Sequence, residues 1–123
     1  MTRFGSTVRE LREQLRQDDP RFSLRQVAQR VGIEPAYLSK IERGDVAPPS
    51  EATTGRLAEE LGVDRDWLLA LAGKVSSDLQ EIIRRHPESF AELIRKLKEA
   101  PEDAILRVVR EVRDGERYVA HPG

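Results

Sequence analysis

The chain has 123 residues, of which 38% are hydrophobic and 35% charged, and its formal net charge is −1. This length and composition are typical of a soluble globular domain, alone or with a small appendage. The absence of cysteine excludes disulfides and thiolate metal sites, and it leads us to expect a cytoplasmic protein.

Neither a secretory signal nor a membrane-spanning segment is expected. The first ten residues contain no apolar run of the kind that a secretory signal needs. The longest apolar run, residues 67–72, is far too short to cross a bilayer. We therefore expect no membrane among the partners.

Charge is distributed unevenly along the chain. Residues 1–46 carry nine Lys and Arg against seven Asp and Glu, whereas residues 47–73 carry two against five and residues 74–123 carry ten of each. The small net charge argues against a nucleic-acid partner for the chain as a whole. Only residues 1–46 carry more basic than acidic side chains. A surface that attracts nucleic acid must therefore lie in this section.

The first 73 residues predict five helices. An apolar stripe at spacings of four, three and four marks the first, and it consists of Phe4, Val8, Leu11 and Leu15. A polar loop at 18–20 ends it. The fourth, over 51–61, is capped by Ser50, and the fifth follows Asp64 and stops at Gly73. The residues of the fifth helix expected to face inward are Trp67, Leu68 and Leu71.

Between these lie two helices joined by three residues, 32–34. The first begins with a capping-box pattern, Ser23 and Gln26, and ends at Gly32. On a wheel of about 100° per residue, Leu38 and Ile41 form the inner face of the second. So short a turn forces a steep crossing angle and makes the second helix protrude, which predicts a helix-turn-helix unit. A protruding α-helix fits the major groove of B-DNA, so double-stranded DNA is the expected partner.

At the residues SLRQVAQRVGIEPAYLSKIERGDVAPPS, followed by LAEELGVDRDWLL, the chain resembles the XRE family, the class of lambdoid phage repressors and Cro. The resemblance covers residues 4–72, and YLSKIERG is its most specific element. It implies an all-α fold with a five-helix DNA-binding domain over residues 1–73. The sequence departs from the family pattern in a longer first loop and at Thr54, where the family has an apolar residue.

Five side chains project from the outer face or flank of the predicted third helix: Ala36, Tyr37, Ser39, Lys40 and Arg43. Lys40 and Arg43 can donate to the guanine edge, and Ala36 permits close approach and contact with a thymine methyl group. Ser39 can reach a base or the backbone, and Arg43 can also grip a phosphate. For Tyr37, packing against the neighbouring helix is an equal alternative to a DNA contact.

Two segments are expected to hold the DNA backbone. The first is the start of the second helix, capped by Ser23, where Leu24 and Arg25 offer free amides and Arg25 adds a positive charge for an anion. The second lies just past the third helix, at Gly44 and Val46. Such contacts position a protein on DNA without reading sequence.

Glu42 lies on the inner half of the third helix, where a carboxylate needs a partner. The family resemblance implies that Arg12 supplies it, in a structural pair rather than a catalytic one.

An enzyme is not expected. His86 lies at a helix junction and His121 in the C-terminal tail, and neither is accompanied by a nucleophile–base arrangement, a phosphate-binding glycine loop or metal-ligand spacing. We expect no cofactor and no metal.

The rest of the chain predicts a small helical region over residues 74–115 and a flexible tail over 116–123. Pro87 and Pro101 begin the second and third of its short helices. These helices carry about a dozen apolar side chains, more than they can easily bury alone. They must pack on the first domain or pair with another copy. Because two units related by a dyad read a palindrome, we expect a homodimer through this region.

Two functions remain open. One is a dimeric transcriptional repressor that reads a palindromic operator. The other is an antitoxin-like or adaptor protein, whose C-terminal helices bind a partner protein from a neighbouring gene while the N-terminal domain autoregulates the operon. Self-association of the C-terminal region, or tight binding to the neighbour's product, distinguishes them.

Overall fold

The computed structural model describes the backbone of residues 3–120 and the side chains of residues 3–114. All regular structure in that part of the chain is helical, which confirms the predicted all-α class. The helices are α1 Arg3–Asp18, α2 Leu24–Val31, α3 Pro35–Arg43, α4 Glu51–Leu61, α5 Arg65–Leu71, α6 Ser77–Arg85, α7 Pro87–Glu99 and α8 Glu102–Ala120. A short 3₁₀ turn, Pro20–Phe22, precedes α2.

The helix ends coincide with local sequence signals. The hydroxyl of Ser50 accepts the amide of Thr53 at 3.2 Å, and the carboxylate of Asp64 accepts that of Trp67 at 2.9 Å. Ser23 likewise accepts the amide of Gln26. The capping box is only half formed, however, because the Ser23 amide donates to the carbonyl of Pro20 in the 3₁₀ turn. The turn supplies the acceptor that Gln26 was expected to provide.

One apolar core lies among α1 to α5. Its buried side chains are Phe4, Val8, Val27, Ala28, Val31, Leu38, Ile41, Leu57, Ala58, Leu61, Leu68 and Leu69. Thr54 is also fully buried, and its hydroxyl donates to the carbonyl of Pro49 at 3.4 Å. That hydrogen bond explains how a polar residue is accommodated at this position.

The prediction for α5 was partly wrong. Leu68 is buried, but Trp67 is 46% exposed and Leu69 takes an inner position instead. Successive residues of a helix are separated by about 100°, so Leu68 and Leu69 can share the core-facing side while Trp67 falls on the flank.

The chain divides into two compact units, residues 1–80 and 81–123. The first unit includes residues 74–80, beyond the predicted limit at residue 73. Glu51, at the start of α4, accepts the amide of Ser77 at 3.0 Å and its hydroxyl at 2.7 Å. The ammonium group of Lys74 donates to the carbonyl of Pro49 at 2.9 Å. These contacts tie the segment after α5 to the start of α4.

This attachment is expected to weaken in acid. The hydrogen bonds from the amide and hydroxyl of Ser77, together with Arg65, lower the pKa of Glu51. A carboxylate whose pKa is lower in the folded state adds stability above its unfolded pKa and loses that contribution as pH falls through the folded pKa. The Ser77 amide should therefore lose protection from hydrogen exchange, relative to other α6 amides, as the pH falls through the lowered pKa of Glu51. In the Glu51→Gln variant, exchange of the Ser77 amide should no longer show this additional dependence on acid. If its pH profile is the same as in the wild type, the role assigned to Glu51 is wrong.

The second unit has no buried side chain among residues 81–114. Its apolar side chains that are exposed by more than a third are Ile82, Leu93, Ile94, Leu106, Val108, Val109 and Val112. The backbone of α8 continues to Ala120, so five residues of the predicted tail, 116–120, belong to this helix. No proline intervenes to interrupt its hydrogen bonds, and Gly115 alone does not end a helix. Residues 121–123, including His121, lie outside the described residues.

Within the described residues, no helix combines the length and the apolar character needed to cross a bilayer.

Candidate nucleic-acid interface

The turn between α2 and α3 is fixed by its backbone. Gly32 adopts a left-handed conformation with φ of 86°, which a side chain would disfavour. The amides of Gly32 and Ile33 both donate to the carbonyl of Ala28, at 2.9 and 3.0 Å. In addition, Nε of Arg56 donates to the carbonyl of Val31 at 2.8 Å. These bonds satisfy the end of α2 and hold the start of α3 in place.

The two faces of α3 separate as the helical wheel predicted. Leu38, Ile41 and Glu42 are buried. On the opposite face, Ala36, Lys40 and Arg43 are exposed, and Ser39 is half-buried. Tyr37 is 36% exposed, so its ring is in part packed and in part accessible. The structure therefore presents the small and basic side chains of α3 together, on the side away from the core.

The inner face of α3 is anchored to α1 by Arg12 and Glu42. Nε of Arg12 lies 2.7 Å from one Glu42 oxygen, and Nη2 lies 2.9 Å from the other. Arg12 also donates from Nη1 to the carbonyl of Phe22 at 3.2 Å and from Nη2 to Glu13 at 3.1 Å. The hydrogen bond to Glu42 raises the pKa of Arg12, against the effect of burial. The guanidinium thereby holds α1, the 3₁₀ turn and α3 together.

Gly5 allows α1 and α3 to approach closely. A Cβ atom built at this residue would overlap the carbonyl oxygen of Ile41 and lie 2.9 Å from that of Glu42. Gly5 was not singled out among the predicted functional residues. A glycine inside a helical pattern costs about 1 kcal/mol relative to alanine, which can point to a packing reason, and that was the available clue.

At the end of α3, Arg43 is held by two neighbours. Its Nε donates to the carboxylate of Asp45 at 2.9 Å, and its Nη1 donates to the hydroxyl of Ser39 at 3.1 Å. Both Arg43 and Asp45 remain about half exposed. Asp45 lies between Gly44 and Val46, the two residues predicted to contact the DNA backbone, and was given no role of its own from the sequence.

The predicted backbone-contact residues differ in what they can offer. Arg25 is exposed at the start of α2, Ser23 is half-buried, and the side chain of Leu24 packs against the core. The amide of Gly44 donates to the carbonyl of Ile41 at 3.1 Å, so the helix cap already uses it. Val46 is half-buried beyond that cap.

No group of three or more His, Asp or Glu side chains in the described part of the chain is arranged to hold a metal ion.

Comparison with known proteins agrees with this geometry. Residues 3–71, more than half of the chain, match the family model described as "Helix-turn-helix domain". The chain belongs to this family of helix-turn-helix domains, and its unit is XRE-like.

A curated relative is the "Uncharacterized HTH-type transcriptional regulator RghRB" of Bacillus subtilis (strain 168). It is 37% identical over 82 residues, which cover 67% of this chain and 55% of the relative. The chain thus spans about half the length of that relative. No solved structure matches the chain.

Proposed function

We propose that the protein is a cytoplasmic transcriptional repressor that binds a palindromic operator as a homodimer, with α3 in the major groove. The separation of the two faces of α3 is the observation that carries this proposal. Packing in the core and the pair with Arg12 explain the inner side chains of α3, which are Leu38, Ile41 and Glu42. Neither explains the small and basic side chains on the outer face. A small residue, a hydroxyl and two cations at this helical spacing suit a helix that meets base edges and phosphates.

Arg25 and the start of α2 supply the proposed phosphate contact on one side of the groove. The amides of Leu24 and Arg25 are the first of α2, where unpaired donors and the helix dipole favour an anion. Val46 supplies the contact on the other side. Together they would set the register of α3, while Lys40 and Arg43 would read the sequence.

Selection of duplexes from a random library by the full chain tests this function. We expect recovery of a two-fold symmetric motif with half-sites about 10 base pairs apart. Affinity for the selected duplex should fall steeply with added salt, because phosphate contacts release counterions. If no sequence is enriched, and duplexes of any sequence are ignored at low salt, the proposal is wrong.

The exposed apolar side chains of the second unit support dimerisation. Among residues 81–114 none is buried, while α7 carries two and α8 four large aliphatic side chains with large exposed fractions. Removing such surface from water is favourable by about 25 cal/mol per Å². Pairing with a second copy would cover this surface and double the DNA contact area.

Truncation after Gln80 tests the role of the second unit. The cut retains Lys74 and Ser77, whose contacts with Pro49 and Glu51 belong to the first unit. We expect a folded monomer that binds the palindromic duplex at least about 100-fold more weakly than the full chain, because it lacks the second, linked half-site contact. Sedimentation and titration of labelled duplex measure both properties.

A duplex with a single half-site provides the control for this truncation. The fragment and the full chain should bind it with similar affinity, because each places one α3 in one groove. If the fragment binds the whole palindrome as tightly as the full chain does, the homodimer part of the proposal fails.

The same exposed side chains are compatible with the alternative function, in which a protein from a neighbouring gene covers α7 and α8. That antitoxin-like or adaptor role predicts a full chain that is monomeric alone and forms a stoichiometric complex with the neighbour's product. If the purified chain is a dimer at every protein concentration measured, the result favours the repressor function.

A further inference from the structure

Asp45 occupies an unusual place for an acidic residue. It follows Gly44, the cap residue of α3, at the end where the helix dipole is negative, and it borders the face proposed to meet DNA. A carboxylate there is opposed both by the helix and by approaching phosphates. Its ion pair with Arg43 is about half exposed on both sides, and such pairs add little to stability. The negative charge of Asp45 is therefore explained neither by a contribution to folding stability nor by attraction to DNA.

The position of the Asp45 backbone is fixed. Gly44 is left-handed with φ of 75°, and the amide of Asp45 donates to the carbonyl of Lys40 at 2.9 Å. This cap holds the residue against the last turn of α3. The carboxylate is therefore attached to a fixed backbone position, and its contact with Arg43 requires ordering of the Asp45 and Arg43 side chains but no backbone change.

The contacts of Arg43 restrict its guanidinium from two sides. Nε is bound to Asp45 at 2.9 Å, and Nη1 is bound to Ser39, one turn earlier on the same face, at 3.1 Å. A guanidinium has five N–H donors in a fixed planar fork. Within the described residues these two contacts leave both donors of Nη2 and one of Nη1 for a ligand. A restrained fork of this kind suits two acceptors in a fixed arrangement, such as O6 and N7 of guanine.

We propose that Asp45 is a positioning residue for sequence reading: with Ser39 it holds the Arg43 guanidinium for a base edge and, through its negative charge, disfavours contact with phosphate. This inference rests on the proposed function and names a specificity determinant within it. In this arrangement the negative charge of Asp45 lowers affinity for DNA in general, whereas its acceptor oxygen, by holding Arg43, raises the preference for the correct sequence.

Two substitutions separate geometry from charge. Asp45→Ala removes both the acceptor and the charge, whereas Asp45→Asn removes the charge and keeps an acceptor oxygen for Arg43. Both should bind a scrambled duplex more tightly than the wild type does. The ratio of affinities for the selected and scrambled duplexes should fall about tenfold or more in Asp45→Ala and stay within about threefold of wild type in Asp45→Asn.

The same measurement in an Arg43→Ala background isolates the pair. In the Arg43→Ala background, Asp45→Ala should no longer change the ratio of the two affinities, because Asp45 affects that ratio only by holding Arg43. Glu59→Gln, on the exposed side of α4, removes the same charge from another element and should leave the ratio unchanged. Thermal melting of each variant should match wild type, since the Arg43–Asp45 pair is exposed.

If Asp45→Ala and Asp45→Asn strengthen binding to both duplexes by the same factor, Asp45 is a repulsive charge alone and the positioning role is overturned. The positioning role is also overturned if Asp45→Ala lowers the ratio of affinities as much in the Arg43→Ala background as it does in the wild type. Failure of the proposed function has a different signature, because the wild type itself would then enrich no sequence from the random library.

Discussion

Glu42→Ala is expected to destabilise the protein by about 3–5 kcal/mol, the cost of leaving a buried charge without its partner. Arg12 is only 3% exposed, and Glu42 accepts from both its Nε and its Nη2. The remaining contacts of Arg12, with the Phe22 carbonyl and Glu13, cannot neutralise the buried guanidinium fully. Denaturant unfolding followed by circular dichroism measures the loss, and α3 should lose its anchor to α1 in the same variant.

Glu13→Ala is the matched control, because Glu13 contacts the same guanidinium from the solvent side. Its carboxylate is 3.1 Å from Nη2 and its side chain is 44% exposed, so its removal should cost less than about 1 kcal/mol. The double variant Arg12→Met, Glu42→Leu should recover most of the stability lost in Glu42→Ala, since a buried ion pair can often be replaced by apolar side chains. Equal losses in Glu42→Ala and Glu13→Ala would contradict the anchoring role.

Gly5→Ala is expected to be the second most damaging of these substitutions. Alanine normally stabilises a helix relative to glycine by up to about 1 kcal/mol. Here the added methyl group meets the backbone carbonyls of Ile41 and Glu42, which cannot rotate away. We expect a net destabilisation of about 1–3 kcal/mol and a displaced α3, with weaker DNA binding as a result.

Gly55→Ala provides the opposite case in the same fold. A Cβ at Gly55, in the middle of α4, would lie 3.1 Å from the guanidinium carbon of Arg65, which is the far end of a flexible side chain. The arginine can move, so the helix preference for alanine should prevail and unfolding should become harder by up to about 1 kcal/mol. If both glycine variants stabilise the protein, α1 and α3 do not approach as closely as described.

Much of the first unit follows from local sequence. Gly32, Gly44 and Gly62 end α2, α3 and α4 in the left-handed conformation, and Ser50 and Asp64 cap the starts of α4 and α5, because each signal acts within one turn. The inner and outer faces of α3 likewise follow from its period. The pairing of Arg12 with Glu42 depends on two residues thirty positions apart, and only the resemblance to a known family indicated it in advance.

The features missed from the sequence depend on tertiary contacts. Gly5 matters because α3 crosses it, and no pattern within α1 reveals which helix will lie there. Trp67 was predicted to face inward, whereas the packing of α5 buries Leu69 and leaves Trp67 exposed. Asp45 was given no role from the sequence, and the role proposed for it depends on its contact with Arg43 in the structure. The apolar side chains of α7 and α8 predict a surface that binds a partner, but they do not identify that partner.

The affinity of Lys40→Ala and Arg43→Ala for the selected duplex, measured with their melting temperatures, tests the central claim most directly. Each substitution should weaken binding by about 1–3 kcal/mol while changing stability by less than about 0.5 kcal/mol, since both side chains are exposed. Lys96→Ala removes the same charge from α7 and should leave affinity within about twofold of wild type. Wild-type affinity in both α3 variants would contradict the account, because the outer face of α3 would then have no part in binding DNA.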